Sequence, residues 1–432
     1  MEATHKVIIR RCPDYDDLDR IREIVAEGME KLGAKPHGRV LLKYNMVFAH
    51  EKNGRHPYTN PKVLEAIIDL LAERPEVEQI ILGERTGVYV PTRYHFLRSG
   101  YKYLKKKPKV KICFFDEDKL VEVPLEKGGY HKSLRFAKTI IEADYKVYAP
   151  KLKHHVTTRL TCALKLNIGI CDQKERLDGH DWHLEEKIAD LYEVGHPDFV
   201  VVDAVDIGQK NEIFAEPLRL GAIMTGTSSV AIDSVGARII GFEPDQIEHL
   251  KIARSRGWEP VSDDQIELDS ELSWDEIREK TKNFDYSFGD LSKLDTRIRF
   301  HLGHYPGGNE PCWGGCLNML KGALAGFESF HPGSIKKARP LAMVIGEYEG
   351  DVDGQGYPIL LIGNCTKIKG EAKGRTRRIR GCPVGIPIFT VLAPIFLRIP
   401  SPLLKEHPKH AFIYPYNILL SNLIKFKRRV LF

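Results

Sequence analysis

Four cysteines in the last third of the chain, Cys312, Cys316, Cys365 and Cys382, stand in settings suited to an inorganic centre. The first two enclose Trp313-Gly314-Gly315, and the others lie in Gly363-Asn364-Cys365 and Gly381-Cys382-Pro383. Glycines close to the cysteines let backbone approach and turn sharply, as a loop-wrapped cluster requires. Four thiolates are the ligand set of an iron–sulfur cluster, expected here as [4Fe–4S], or of a structural zinc. The 17-residue step from Cys365 to Cys382 fits no zinc-ribbon spacing, so zinc is the weaker alternative. Trp313 would shield a cluster from water, and the basic run Lys367–Arg380 would offset its negative charge. Cys12, Cys113, Cys162 and Cys171 lie in apolar, strand-like contexts and read as small core residues.

A second group of polar side chains falls where strands are expected to end. Lys43-Tyr44-Asn45 closes one strand, Thr59 precedes a helix, and Lys153-His154-His155 opens a segment containing Thr158, Thr161, Lys165, Asn167, Arg176 and His180. In an open parallel sheet, ligands bind beyond the carboxyl ends of the strands. Lys43, His154, His155, Lys165 and Arg176 would gather positive charge there, with Asn45, Thr59, Thr158, Thr161 and Asn167 as hydrogen-bonding groups. That set suits a carboxylate or phosphate, with His154, His155, Lys165 and His180 as the catalytic candidates. A wet loop of solvated lysines is the bland reading of the same letters. A metal held by His154 or His155 with His180, His183 and Asp203 or Asp233 is a minor alternative, because adjacent histidines on a strand face opposite ways. Neither G-x-x-x-x-G-K-[ST] nor a strand followed by G-x-G-x-x-G occurs, which argues against nucleotide binding by those routes.

The elements that must position these groups read as an alternation of strands and helices. Arg39–Tyr44, Val77–Leu82, Val110–Phe115, Lys146–Ala149 and Phe199–Val205 read as strands, and 15–32, a run from Pro61 capped by Asn60, and 231–240 as helices. The pattern predicts an α/β fold with a doubly wound, mostly parallel sheet and a Cys-rich, loop-rich C-terminal region. Residues 1–245 are expected to form the core domain, 246–300 an acidic helical connection, and 301–432 the cysteine-rich region with a basic amphipathic tail. No repeat at a solenoid period is evident.

The 432 residues carry 65 Lys and Arg against 59 Asp and Glu, a net charge of +6, interspersed rather than clustered. That excludes a dedicated nucleic-acid binder. The charged opening has no secretory leader, and eight dispersed cysteines form no disulfide framework, so a cytoplasmic setting is expected. The last segment, 414–432, sets Ile418, Leu419, Leu423, Ile424 and Phe426 beside Lys425, Lys427, Arg428 and Arg429. It reads as a docking helix, with a peripheral membrane or partner-protein contact as the alternative.

Residues 35–245 resemble the domain-of-unknown-function family numbered 362. The likeness rests on Lys43-Tyr44-Asn45, where the family has Lys-Pro-Asn, and on Thr59-Asn60-Pro61. It continues with His155-x-x-Thr158-x-x-Thr161-x-x-Leu164-Lys165, with Leu166 before Asn167, and with Ala231-Ile232-Asp233 and Gly236. The family resemblance implies an iron–sulfur association, although the ferredoxin-type domain many members add is absent from these residues. A more distant likeness to nickel-pincer lactate racemases implies histidines and a lysine around a substrate carboxylate. The favoured expectation is an iron–sulfur oxidoreductase or electron-transfer component acting on a small anionic substrate or a redox partner protein. A racemase-like isomerase or lyase with a metal cofactor, and a non-catalytic cluster or cofactor assembly protein, are the rivals.

Overall fold

The computed structural model describes residues 4–53, 56–87, 91–177 and 183–430, with side chains as far as 427. The chain divides into two units, one built from 1–176, 185–285 and 412–432, the other from 177–184 and 286–411.

In the first unit the strands are β1 (His5–Arg11), β2 (Gly38–Tyr44), β3 (Val77–Glu84), β4 (Val110–Phe114), β5 (Leu120–Pro124), β6 (Ser133–Ala137), β7 (Tyr145–Ala149), β8 (Lys151–His155), β9 (Arg159–Thr161), β10 (Phe199–Gln209), β11 (Glu216–Gly226) and β12 (Ile266–Ser270). Among the described residues, ten form one sheet in the order β12-β1-β11-β10-β7-β2-β3-β4, with β8 beside β10 and β9 beside β8. From β10 through β7, β2 and β3 to β4 every pairing is parallel; β11 is antiparallel to both its neighbours. β5 and β6 make a separate antiparallel pair. The α/β class and the mostly parallel sheet expected from the sequence are what the fold contains.

Local chemistry sets the helices that cover this sheet. The Asn60 side chain accepts from Lys62 N at 2.9 Å, Pro61 opens the helix Pro61–Ala72, and Val63, Leu64, Ile67, Ile68 and Leu71 are buried on its inner side. Each such side chain contributes roughly 1.5–3 kcal/mol on leaving water. The first helix starts at Leu18 rather than Tyr15, capped by Asp17. Tyr15 is drawn away because its hydroxyl donates to Asp203 Oδ1 at 2.8 Å.

The segment expected to be a separate acidic connection is divided. Residues 246–285 belong to the first unit, where β12 pairs in parallel with β1. Within it Asp269 meets the Arg10 guanidinium at 2.9 Å, which Glu27 of the first helix also meets at 2.8 Å. From 286 the chain enters the second unit, and from 412 it returns to the first.

The second unit holds β13 (Arg299–Leu302), β14 (Ala342–Tyr348), β15 (Val352–Asp353), β16 (Ile359–Ile368), β17 (Ala372–Lys373) and β18 (Thr376–Ile379). Neighbours in the order β13-β14-β16-β18 are all parallel, and β15 pairs in parallel with β17. The loop-rich region expected here is therefore a short parallel coil. Ala342 pairs with Ile359 and Ile359 with Thr376, so successive rungs are 17 residues apart. Ala342, Val344, Val352 and Ile359 pack inside it. The repeat lives in the backbone register and not in residue identity, which is why the letters conceal it.

Asp203, in the middle of β10, ties the first unit together. Besides Tyr15 it meets Lys151 Nζ at 3.0 Å and accepts from Asn60 N at 2.8 Å, all with no exposure at the carboxylate. Replacing Asp203 by Ala would leave Lys151 buried and uncompensated. A loss of about 3–5 kcal/mol is expected, read as a lower urea midpoint with an unchanged slope. Adding Lys151→Met should recover part of it.

Candidate functional site

Strand alternation sorts the residues of β8. Lys151, Lys153 and His155 point to one side, and Leu152 and His154 to the other. Leu152 meets Gly236 of the helix Ser229–Ile239, and His154 Nδ1 lies 3.2 Å from Lys210 O with its ring stacked near Phe242. His154, expected to be catalytic, thus stands on the helix side of the strand, away from Lys153 and His155.

Several other candidates are taken up in internal bonds. Lys43 Nζ donates to Glu84 Oε1 at 2.8 Å, and both groups are buried. Glu84 also accepts from Arg85 N at 2.7 Å and Met46 N at 3.0 Å, so its carboxylate is fully occupied. Burial pulls Lys43 below the ordinary lysine range and pushes Glu84 above the ordinary carboxylate range, while their mutual contact works against both shifts. Gly169 presses onto this pair: a Cβ there would lie 2.6 Å from Glu84 Oε1 and 2.9 Å from Lys43 Nζ. Thr59 Oγ1 donates to Ala149 O at 2.6 Å and accepts from Asn45 N at 3.1 Å. Asn167 donates to Leu164 O at 3.0 Å and accepts from Tyr148 OH at 2.8 Å. Thr158 Oγ1 donates to Leu160 O at 3.1 Å. Lys43, Thr59, Thr158 and Asn167 therefore shape the strand ends and offer little to a ligand.

What remains is a smaller cationic group. No hydrogen bond or ion pair joins the Lys165 side chain to another described residue, and enclosure by protein, with Arg176 nearby, lowers its pKa to about 8 against the opposing pull of Glu212. Arg176 is buried; one guanidinium nitrogen donates to Thr86 O, while Nε has no partner. Burial, reinforced by Arg85, brings Arg176 down to about 10. Lys153 bonds only to the carbonyls of Pro57 and Glu212, and burial lowers it to about 7. Thr161 lies opposite Lys153 across the β8–β9 ladder, so it shares that face, and its Oγ1 is buried without a partner. Asn45 Oδ1 is likewise buried and unpartnered.

His155 completes the group. Its Nδ1 faces the backbone N–H groups of Thr157 at 3.1 Å and Thr158 at 3.2 Å, which places the proton of the neutral ring on Nε2. Nε2 points toward Glu212 Oε1 at 3.7 Å. Glu212 was invisible in the sequence: it sits between two long strands with no motif around it. His180 lies outside the described residues.

In the second unit the cysteine loops are set side by side by backbone. Asn364 N donates to Gly381 O at 2.9 Å and Gly381 N to Asn364 Oδ1 at 3.0 Å, which joins the positions just before Cys365 and Cys382 beyond the end of the β16–β18 ladder. Farther along β16 the register against β14 changes from Ile345–Ile362 to Glu347–Lys367, a bulge that contains Cys365. Arg378 holds this bulge by donating to Gly363 O at 2.7 Å and Thr366 O at 2.8 Å. Val384 N donates to Cys316 Sγ at 3.5 Å, and a Cβ on Gly363, at φ +98°, would stand 3.0 Å from the same sulfur. Cys312 caps the turn Trp313–Leu317 that carries Cys316. None of the four is in a disulfide. Among the described residues no three His, Cys, Asp or Glu side chains are drawn together as a metal-binding group.

Residues 40–238 match the family described as domain of unknown function, DUF362. The matched segment is similar to a DUF362 domain. A thylakoid-associated protein of Synechocystis sp. is 24% identical over 249 residues, covering 53% of this chain and 71% of that protein. The lactate racemase apoprotein from Thermoanaerobacterium thermosaccharolyticum aligns at 10% identity over 56% of this chain and 57% of its own, with a TM-score of 0.33. A Thermotoga maritima crystal structure aligns at 11% identity over 79% and 70%, with a TM-score of 0.36.

The matched segment contains the whole cationic group and none of Cys312, Cys316, Cys365 and Cys382. Within it, Asp233 accepts from Ala163 N at 2.7 Å and Leu164 N at 3.1 Å, fixing the turn that delivers Lys165. Burial pushes the Asp233 carboxyl up to about 6, with His249 opposing. The folded protein thus retains a proton that the unfolded chain releases near pH ~4. On this group's account stability falls as pH rises from about 4 through about 6. Asp233→Asn should flatten that part of a melting-temperature profile; a decline of undiminished size would refute the assignment.

Proposed function

We propose that this protein is an iron–sulfur protein in which Cys312, Cys316, Cys365 and Cys382 supply the thiolates, and in which the DUF362 segment binds a small anion. The observation that carries the first half is the rung length. Cys365 and Cys382 are 17 residues apart, and so are successive rungs, and the residues just before them, Asn364 and Gly381, are hydrogen-bonded to each other. The donor set fits the group: soft thiolates, a backbone N–H on Cys316 Sγ, and glycine where a side chain would crowd that sulfur. When bound, a cluster of this kind supplies one-electron chemistry.

The second half rests on unbalanced charge. Glu84 neutralises Lys43 and Asp203 neutralises Lys151, while Lys165 and Arg176 keep unused donors. An anion would take those donors together with Thr161 Oγ1, in an enclosure where a charged hydrogen bond is strong. His155, its proton on Nε2, is the group suited to move a proton, and Glu212 orients it. With a redox centre and an anion site in one chain, an oxidoreductase or electron-transfer component is the reading that uses both.

The test is iron and acid-labile sulfide content on anaerobically purified protein, with its visible spectrum before and after dithionite. Matching iron and sulfide, a band that bleaches, and loss of both in Cys365→Ala and Cys382→Ala are expected. Colourless protein would overturn the cluster. The anion site is tested separately by thermal shift with phosphate and oxalate. Stabilisation that disappears in Lys165→Ala and Arg176→Ala but survives in His154→Ala is expected.

A further inference from the structure

The last helix, His410–Val430, is apolar on two opposite sides. Its inner side is committed to the first unit. Asn417 and Ser421 are buried, Tyr414 meets Tyr94 edge-on with ring centres 5.1 Å apart, and Ile424 lines a groove with Phe96, Leu97 and Phe114. The other side carries Phe412, Tyr416, Leu419, Leu423 and Phe426, which remain 79%, 62%, 60%, 49% and 64% exposed. Steps of four, three, four and three keep these five on one narrow stripe of the helix. An apolar stripe of this kind, set on a helix already anchored by its opposite face, contributes nothing to the fold in which it sits.

Charge indicates what covers it. From His407 to Phe432 there is no Asp or Glu, against five lysines and arginines: Lys409, Lys425, Lys427, Arg428 and Arg429. The same stripe spacing suits a coiled-coil seam, but two copies packed on it would bring basic residues together with no carboxylate to answer them, and Pro415 interrupts the helix. A surface of anionic lipid supplies the missing negative charge and accepts the apolar side chains at the headgroup boundary. Spanning is a different matter: no helix among the described residues is long and apolar enough to cross a membrane.

We propose that the Phe412–Phe426 stripe, with Lys427 at its edge and Lys425 in the same turn, is a docking surface for a membrane rich in anionic lipid. The helix lies in the plane of the interface, its inner face still packed on the sheet unit. Membrane attachment is thereby independent of both the anion site and the cysteine loops.

The test is co-sedimentation of the full chain with vesicles of phosphatidylcholine alone or with added phosphatidylglycerol. Binding to the anionic vesicles only is expected, weakening as salt is raised and the Debye length shrinks. Leu419→Asp with Leu423→Asp should abolish it at an unchanged thermal midpoint, since both positions are exposed. Lys425→Glu with Lys427→Glu, which leaves the stripe intact, should weaken partitioning by on the order of tenfold or more. If the leucine variant shifts the midpoint, the lysine variant decides. Absence of binding to anionic vesicles, or equal binding to neutral ones, would overturn the proposal. So would a wild-type dimer in light scattering that the leucine variant converts to monomer, which would make a second copy the occupant.

Discussion

The Lys43–Glu84 contact shows the constraint on which the rest of the sheet unit depends. A charge buried above a parallel sheet is tolerated only with a partner beside it, and this fold buries Lys43, Lys151 and Lys153 on its strands and sets a fourth, half-buried lysine, Lys165, in the turn after β9. Two receive carboxylates, from Glu84 and Asp203. Lys153 receives only carbonyl oxygens and is drawn toward neutrality. Lys165 receives neither, and it stands near an arginine whose Nε is also unused. The allocation of partners, more than the number of cations, separates groups that hold the fold from groups open to a ligand.

Much of the sheet unit was legible because its signals are local. The apolar runs of β2 and β3 and the Asn60-Pro61 start of a helix need only their immediate neighbours to be read. The opposed orientation of His154 and His155 follows from strand alternation once β8 is known to be a strand. What could not be read depends on distant partners. Lys43 and Thr59 look available until Glu84 and Ala149 arrive from elsewhere in the chain. Glu212 carries no motif, and its importance comes from lying against His155 and Lys153. β12 was hidden because acidic residues on a short strand resemble a solvated connection until Arg10 is placed beside them.

The cysteine region was legible in a different way. The residue types and neighbouring glycines raised the expectation of a thiolate ligand set, yet the 17-residue step between Cys365 and Cys382 had no meaning as a ligand spacing. The parallel coil gives it one. The step equals one rung, and Arg378, which could be taken for a loose countercharge, is occupied with the carbonyls of the bulge.

That coincidence has a consequence for how such a region can change. In a coil, each residue's height is set by counting along the chain, so a single insertion between Thr366 and Gly381 would draw Gly381 away from Asn364, and Cys382 with it, even if every side chain were retained. Substitutions in that turn cost only their own contacts, whereas a change of length shifts everything downstream by one place on the ladder. The segment is free to drift in composition and bound in length, much as a reading frame is.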